Sequence, residues 1–379
     1  MNRGSLGHTQ QDRQETLASC RSHVLRSSWT LTKGGAETKM RIRPRSLVRL
    51  SAVCCIILTM VLGVASGSEH PLLKDAKKEG KAVFYANITG IEPVMKAFQS
   101  QYGIPVEYNR VSTAVYVPTV QTEFQAGRLA ADVLQAPIPI LQILKQAGVL
   151  AKYVSPMAEK YPDWSKDPDG MIQQFGIEAV ALIYNTELVK PQDVPTSYRD
   201  LADPKWRNKI VMPDPITHAT TITWLVGLKE HVFSSEAEWK EFLRGLAKNN
   251  PMFVASFGPT PGPIETGEKL IGISMPKYIV TKAPAPLGWA QLKNEPLMGS
   301  ARGIAVAKNA PRPNAARLFV DFWLSEDSSR ILAEQVGEWV LYKDVYPPIK
   351  DIRKANVIPL RELSDDEIQR WSEVFRTIF

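Results

Sequence analysis

Short apolar runs alternate with amphipathic stretches along the chain from residue 72 onward. Three apolar runs of strand length, at 81–85, 104–108 and 131–135, are each followed by apolar residues at helical spacing. Strands that alternate with helices in this way indicate a parallel sheet joined by crossover helices. The first part of the chain is therefore predicted to form a parallel α/β lobe.

Two longer apolar segments, Ile177–Tyr184 and Arg302–Ala307, are predicted to cross between this lobe and a second one. Between them the pattern predicts strands at 209–212, 252–255 and 270–275, and helices at 216–228 and 236–248. After the second segment, Asn314 is predicted to cap an amphipathic helix. The expected fold class is α/β, with two Rossmann-like lobes around a central cleft.

The same pattern predicts the domain boundaries. The first lobe is expected to comprise residues 68–178 with 304–345, and the second lobe residues 185–300. Residues 346–379 are expected to form a C-terminal helical segment that packs on a lobe.

The positive charge of the chain is concentrated at its beginning. Residues 1–67 hold ten Lys/Arg and three Asp/Glu, whereas the remainder holds 36 of each, so the net charge of +7 belongs to the N-terminal part. A neutral remainder removes the main support for a nucleic-acid partner. We expect a monomer that binds no nucleic acid.

Residues 40–67 have the pattern of a secretory signal peptide. Four arginines follow Met40, an uncharged run extends from Leu50 to Ala65, and small residues come next. The run is short for a transmembrane anchor, which is the alternative interpretation. We predict cleavage between Ala65 and Ser68 and a protein that acts outside the cytoplasm. Residues 1–39 are interpreted as a disordered extension or as sequence upstream of a true start at Met40.

The cysteines support this interpretation. Cys20, Cys54 and Cys55 all precede the predicted cleavage site, so the mature chain is expected to have no disulfide, zinc-thiolate site or catalytic thiol. No cofactor and no bound metal are expected.

Six stretches of the chain together form a recognisable series. They are LLKDAKKEGKAVFYA at 72–86, AGRLAADVLQ at 126–135, LKQAGVLAKY at 144–153, ALIYNTELV at 181–189, SYRDLADPKWRNKIVMPDP at 197–215 and ARGIAVAKNAPRPNAARLFVDFWLS at 301–325. In this order they resemble the periplasmic solute-binding proteins of ABC importers, in the branch that includes the ferric-iron binders. The resemblance implies a protein of the periplasm. The resemblance covers nearly all of residues 72–340. It implies a type 2 periplasmic-binding fold and a solute delivered to permease subunits in the inner membrane.

The iron ligands of that branch do not carry over. The position of its histidine falls near Thr89, the third-strand loop offers Ala136-Pro137 instead of a carboxylate, and the tyrosine pair falls at Pro276-Lys277-Tyr278. Ferric iron prefers several anionic oxygens. A ferric or iron-complex ligand is therefore kept as the alternative to a small organic anion.

The loops that follow the predicted strands carry the candidate ligand contacts. Ligands collect beyond the carboxyl ends of strands in open α/β sheets, and Arg together with hydroxyls and helix N-termini suits a carboxylate, phosphonate or phosphate ester. The predicted ligand-binding residues are Asn87, Thr89, Arg110, Ser112, Thr113, Pro137, Thr217, His218, Thr220, Ser274, Lys277 and Tyr278.

Several of these residues have simpler alternative roles. Thr217 and Thr220 could cap a helix, and His218 could cap a helix or lie exposed instead of binding a ligand. Arg110 could be a surface ion-pair partner, and Tyr278 could pack under the hinge. Motifs of an enzyme, such as a nucleophile elbow or a phosphate loop, do not occur in the sequence, and we expect no enzyme. A ligand-sensing subunit for a signalling receptor is the alternative to a transport component.

Overall fold

The structure, a computed structural model, describes residues 70–379. The predicted signal peptide, the extension before it and the three cysteines lie outside the described residues. Within 70–379, the helices are too short or too polar for any of them to cross a membrane.

The first lobe opens with the predicted strand–helix units. Its elements are α1 (Leu73–Glu79), β1 (Ala82–Ala86), α2 (Glu92–Tyr102), β2 (Val106–Arg110), α3 (Thr113–Gln125), β3 (Val133–Pro137) and α4 (Ile138–Gln146). Strands β1 and β2 are parallel, with Ala82 beside Val106 and Ala86 beside Arg110. Both β2 and β3 begin and end two residues later in the chain than the sequence predicted. Arg110 and Pro137 are thus the last residues of strands.

The middle of the chain contains one crossing strand and the second lobe. The elements are β4 (Gln173–Asn185), β5 (Ile210–Pro213), α5 (Ala219–His231), α6 (Glu236–Lys248), β6 (Met252–Val254), α7 (Pro261–Glu265), β7 (Ile271–Ser274), α8 (Lys277–Thr281) and β8 (Leu287–Trp289). The predicted start of α5 at residue 216 is wrong by three residues. Residues 214–218 form a turn around the side chain of Asp214, which accepts the N–H of Ile216.

The last part of the chain returns through the second crossing strand. Its elements are β9 (Leu297–Val306), α9 (Pro313–Trp323), α10 (Glu326–Glu334), β10 (Trp339–Val340), β11 (Val357–Pro359) and α11 (Asp365–Arg376). Short 3₁₀ turns occur at Pro156–Lys160, Asp163–Ser165, Pro191–Asp193, Tyr198–Ala202, Pro204–Trp206 and Ile352–Lys354.

The prediction that Asn314 caps α9 is wrong. The helix begins at Pro313, and the carboxylate of Glu79 accepts the N–H groups of Asn314 and Ala315 at 3.2 and 2.7 Å. A carboxylate at a helix N-terminus satisfies free amides and complements the helix dipole. The cap is therefore supplied by α1, from more than two hundred residues earlier in the chain.

All strands of the described residues belong to one curled sheet with the order β2-β1-β3-β9-β4-β7-β5-β6. Strands β10 and β8 also pair with β4, and β11 pairs with β9. The two long strands β4 and β9 are antiparallel neighbours and lie in the centre of this order, so they join the two lobes. This topology confirms the two-lobed α/β fold with two crossing strands.

Helices cover both faces of each lobe. Along β4, Val180 and Leu182 point into one apolar cluster of the second lobe, whereas Ala181 and Ile183 point into another. In the first lobe, Phe84 of β1 packs edge-to-face against Phe319 of α9 at 5.1 Å between ring centroids. Strands that are buried on both faces have continuous apolar sequences, so these strands could be predicted from the sequence.

Candidate ligand-binding site

The carboxyl ends of the strands in the two lobes point towards each other. The end of β3, Pro137, pairs with Arg302 of β9, which in turn pairs with Gly176 of β4. The end of β7, Ser274, pairs with Ala181 of β4 from the opposite direction. Five residues of β4 separate the two ends, about 16 Å at 3.3 Å per residue. A cleft floored by β4 and β9 therefore lies between two carboxyl edges, where α/β sheets bind ligands.

The edge of the first lobe brings together candidates from three loops. Asn87 follows β1, whose last residue Ala86 pairs with both Arg110 and Gln135. The side-chain amide of Asn87 donates to the hydroxyl of Thr113 at 3.1 Å. The adjacency of these strand ends places Asn87, Arg110, Thr113 and the end of β3 along one rim.

Exposed donors line this rim. The side chains of Thr89, Arg110, Ser112 and Thr113 are exposed. Ser112 precedes α3, yet its hydroxyl makes no capping hydrogen bond within the described residues. The amides of the first turn of α3 therefore lack a side-chain cap, and their dipole favours an anion. Gly90 has a φ of 77°, a conformation that a glycine adopts without strain.

Sequence analysis missed Gln135, which shapes the first loop. It is fully buried on β3, and its side-chain oxygen accepts the N–H of Ile88 at 3.1 Å. The hydroxyl of Tyr108 donates to the carbonyl of Ile88 at 2.7 Å. Both contacts fix the loop that carries Asn87 and Thr89. A polar residue in an otherwise apolar strand was the available signal.

In the second lobe, His218 rather than a threonine caps α5. Its Nδ1 accepts the N–H of Thr221 at 3.3 Å, and its ring packs edge-on against Phe257 at 5.1 Å between centroids. Thr217 instead donates its hydroxyl to Asp214 at 2.9 Å. Burial lowers the pKa of His218, although the charges of Glu178 and Asp214 oppose this effect. The imidazole is therefore neutral at pH 7, and Thr220 lies half-buried beside it.

Two of the second-lobe candidates already have partners inside the protein. Ser274 is fully buried, and its hydroxyl lies 2.5 Å from that of Thr260. The ammonium of Lys277 donates to Glu338 at 2.9 Å, and their side chains are only 11 % and 3 % exposed. Their partners, Thr260 and Glu338, come from other elements of the fold. The sequence pattern at the end of the strand does not show these partners, so it predicted both residues as ligand contacts.

Tyr278 keeps its proton under ordinary conditions. Burial, and then the nearby carboxylates of Glu178 and Glu338, raise the pKa of Tyr278 to about 12. Glu178 acts on the pKa values of both Tyr278 and His218. The two candidates thus lie around the same carboxylate on the cleft floor, where Tyr278 can donate a hydrogen bond.

A chain of alternating charges at the crossing strands was not predicted. Arg302 of β9 forms an ion pair with Glu178 of β4, and its Nε lies 3.7 Å from Glu338. Glu338 then pairs with Lys277. Burial opposes ionisation of Glu338, but Lys277 and Arg302 hold its pKa below the usual range. The sequence signal was a charged residue within each apolar crossing strand.

These charges link the two lobes at the hinge. Glu338 precedes β10 on the side of the first lobe, whereas Lys277 begins α8 of the second lobe. The cavity beside them, lined by both residues and Glu178, measures about 10 Å³, which is space for about one water. This cavity is too small for an organic anion.

The chain is similar to known proteins at the level of sequence family and fold. Residues 131–364 match the family described as bacterial extracellular solute-binding protein. The chain belongs to this family. For this solute-binding protein, the resemblance to the periplasmic proteins of ABC importers and the type 2 periplasmic-binding fold are both confirmed.

Individual relatives differ in what their names say they bind. Iron uptake protein A2 of Synechocystis is 28% identical over 236 residues, which cover 56% of this solute-binding protein and 64% of the relative. A putative 2-aminoethylphosphonate-binding periplasmic protein of Salmonella typhimurium is 24% identical, covering 68% and 76% of the two chains. A substrate-binding protein of an ABC transporter from Agrobacterium tumefaciens superposes with a TM-score of 0.65 at 14% identity, covering 79% and 95%.

Proposed function

We propose that this protein captures a small organic anion in the cleft between its lobes and delivers it to the permease subunits of an ABC importer. The anion is a carboxylate, a phosphonate or a phosphate ester. The protein acts in the periplasm, which it reaches through the signal peptide at residues 40–67.

The observation that carries this proposal is the pair of facing carboxyl edges with their donors. Arg110 supplies a guanidinium that can hold two oxygens of one carboxylate or phosphonate. Thr89, Ser112 and Thr113 add hydroxyls on the same rim, and α3 presents its N-terminus there. From the second lobe, Thr217, Thr220 and the phenol of Tyr278 are proposed to complete the site on closure.

A phosphonate ligand has a precedent in the relative named for 2-aminoethylphosphonate. That protein is aligned over 68% of this chain. The named ligand carries a doubly acidic group of the kind that Arg and helix N-termini bind. Its name supports the anion class and not the particular compound.

Ferric iron is the competing ligand, because two relatives are named iron uptake proteins. Three observations favour the organic anion. Burial and the carboxylates of Glu178 and Glu338 raise the pKa of Tyr278 to about 12, which opposes formation of a phenolate ligand. Lys277 occupies the position beside it. Within residues 70–379, no cluster of three or more His, Cys, Asp or Glu is placed to hold a metal ion.

A thermal-shift screen of the purified protein tests the proposal. The probes are 2-aminoethylphosphonate, a sugar phosphate, a dicarboxylate and a ferric salt. A ligand at a hundred times its dissociation constant adds about 2.7 kcal/mol to the free energy of unfolding. A shift with ferric ions and none with any organic anion would reverse the ranking of the two ligand classes.

The matched variants are Arg110→Ala and Arg128→Ala. Both arginines are exposed, but Arg128 precedes β3 and so lies at the opposite edge of the same sheet. R110A is expected to abolish the shift given by the organic anion, whereas R128A retains it. Equal shifts in the two variants would remove Arg110 from the site.

A further inference from the structure

The C-terminal segment lies along the second lobe and reaches the cleft loop. Strand β11 pairs with the first residues of β9, and α11 then packs over α5 and α6. Trp371 meets Trp239 edge-on at 5.5 Å between centroids, and Phe375 is fully buried. The helix is therefore fixed on the lobe by a large apolar contact.

One polar contact of α11 goes to the loop that carries Thr217 and His218. The hydroxyl of Ser372 donates to the carbonyl of Ile216 at 2.6 Å. The N–H of the same Ile216 donates to the side chain of Asp214 at 2.8 Å. The peptide units on both sides of Ile216 are thus held, one by the turn itself and the other by α11.

Residues after α11 contact the strand to which this loop is hydrogen-bonded. Phe379 packs against Phe253 of β6 with 6.0 Å between ring centroids. The next residue of β6, Val254, accepts the N–H of Asp214 at 2.9 Å. The last helix and its C-terminus therefore contact both the loop 214–218 and the strand to which that loop is bonded.

We infer that α11 is a brace that positions the cleft loop 214–218, with Ser372 as its positioning residue. The family match ends at residue 364, directly before this helix. The brace restricts the loop in the ligand-free protein, so that Thr217 and the N-terminus of α5 are already placed when a solute arrives. Preorganisation of this kind raises affinity by lowering the ordering cost on binding. The effect on affinity rests on the proposed function; the effect on the loop does not.

The test compares Ser372→Ala with Thr377→Ala and Ser372→Thr. Thr377, the residue directly after α11, donates to the carbonyl of Val374 in that helix at 2.7 Å, so T377A removes one hydroxyl at the end of α11 without touching the loop. S372T keeps the hydroxyl. Amide hydrogen exchange of the peptide 214–222 is measured in the ligand-free protein, and binding of 2-aminoethylphosphonate by calorimetry.

The loss of one such hydrogen bond is expected to speed exchange in 214–222 about five-fold in S372A. T377A and S372T are expected to match the parent protein there. Affinity for the probe is expected to fall by a similar factor in S372A alone. Unchanged exchange in S372A, or equally faster exchange in T377A, would overturn the brace. If 2-aminoethylphosphonate binds neither the parent nor any variant, this compound is excluded as the ligand, while the exchange result still decides the brace.

Discussion

The ion pair between Lys277 and Glu338 offers a direct test of how the lobes are joined. Replacement of Lys277 by Met removes the ammonium but keeps most of the apolar stem. Glu338, whose side chain is 3 % exposed, then loses the partner at 2.9 Å. The remaining cation is Arg302, whose Nε lies 3.7 Å from Glu338 and which is already paired with Glu178.

The magnitude follows from the burial of the carboxylate that remains. Breaking a buried ion pair on one side costs about 3–5 kcal/mol, because an uncompensated charge is left inside. Because Arg302 partly compensates the charge of Glu338, K277M is expected to lower the free energy of unfolding by about 3 kcal/mol, the lower end of this range. The double variant K277M/E338L removes both charges and is expected to lie within about 2 kcal/mol of the parent, since apolar replacement of a buried pair is nearly neutral.

The dependence on pH provides a second signature. In the parent, the pKa of Glu338 is lowered by folding, so its contribution is present above the unfolded pKa, near 4.3, and is lost as pH falls through the folded pKa. In K277M burial is expected to raise the folded pKa instead. The destabilisation by K277M should then shrink as the pH falls from 7 to 4, with a slope of up to about 1.4 kcal/mol per pH unit.

Denaturant unfolding of the four proteins between pH 4 and pH 7 measures these effects. The control is Lys282→Met, an exposed lysine directly after the same helix α8, which is expected to change stability by less than about 0.5 kcal/mol. A loss below about 1 kcal/mol for K277M, unchanged across this pH range, would refute a buried ion pair between the lobes.

Two further predictions concern the same region. Gly337 has a φ of 77°, and a Cβ there would lie 2.7 Å from the Cα of Lys277, so Gly337→Ala is expected to cost about 3 kcal/mol. Gly103→Ala, with a φ of 72° and nothing within 4 Å, should cost only about 1 kcal/mol; equal losses in urea unfolding would contradict the close approach. Tyr278→Phe is expected to weaken binding of the organic anion about five-fold. Because the pKa of Tyr278 is raised to about 12, the affinity of the parent protein, measured by calorimetry, should not change through ionisation of this phenol up to pH 10. A change in affinity near pH 8 that is absent from Y278F would contradict a protonated phenol.

The sequence by itself determined the α/β fold and its division by two crossing strands. Apolar runs such as 177–184 and helical spacings such as that after 313 are local patterns, and buried strands and amphipathic helices display them residue by residue. The same patterns predict where each strand ends, and so which polar residues lie at or after that end. The loops bearing Asn87 and Thr217, and the strand end at Arg110, could therefore be located without tertiary information.

The tertiary structure decided which of those polar groups are already engaged. Ser274 ends β7 and Lys277 begins the helix that follows it, but Glu338 lies 61 residues from Lys277 and Thr260 lies 14 residues from Ser274. Likewise, Glu79 caps α9 from 235 residues away. A hydrogen bond depends on distances of about 3 Å in space, and those distances arise only when the sheet order brings remote segments together. Partners across the fold, and so the availability of each side chain to a solute, are set by packing and not by local pattern.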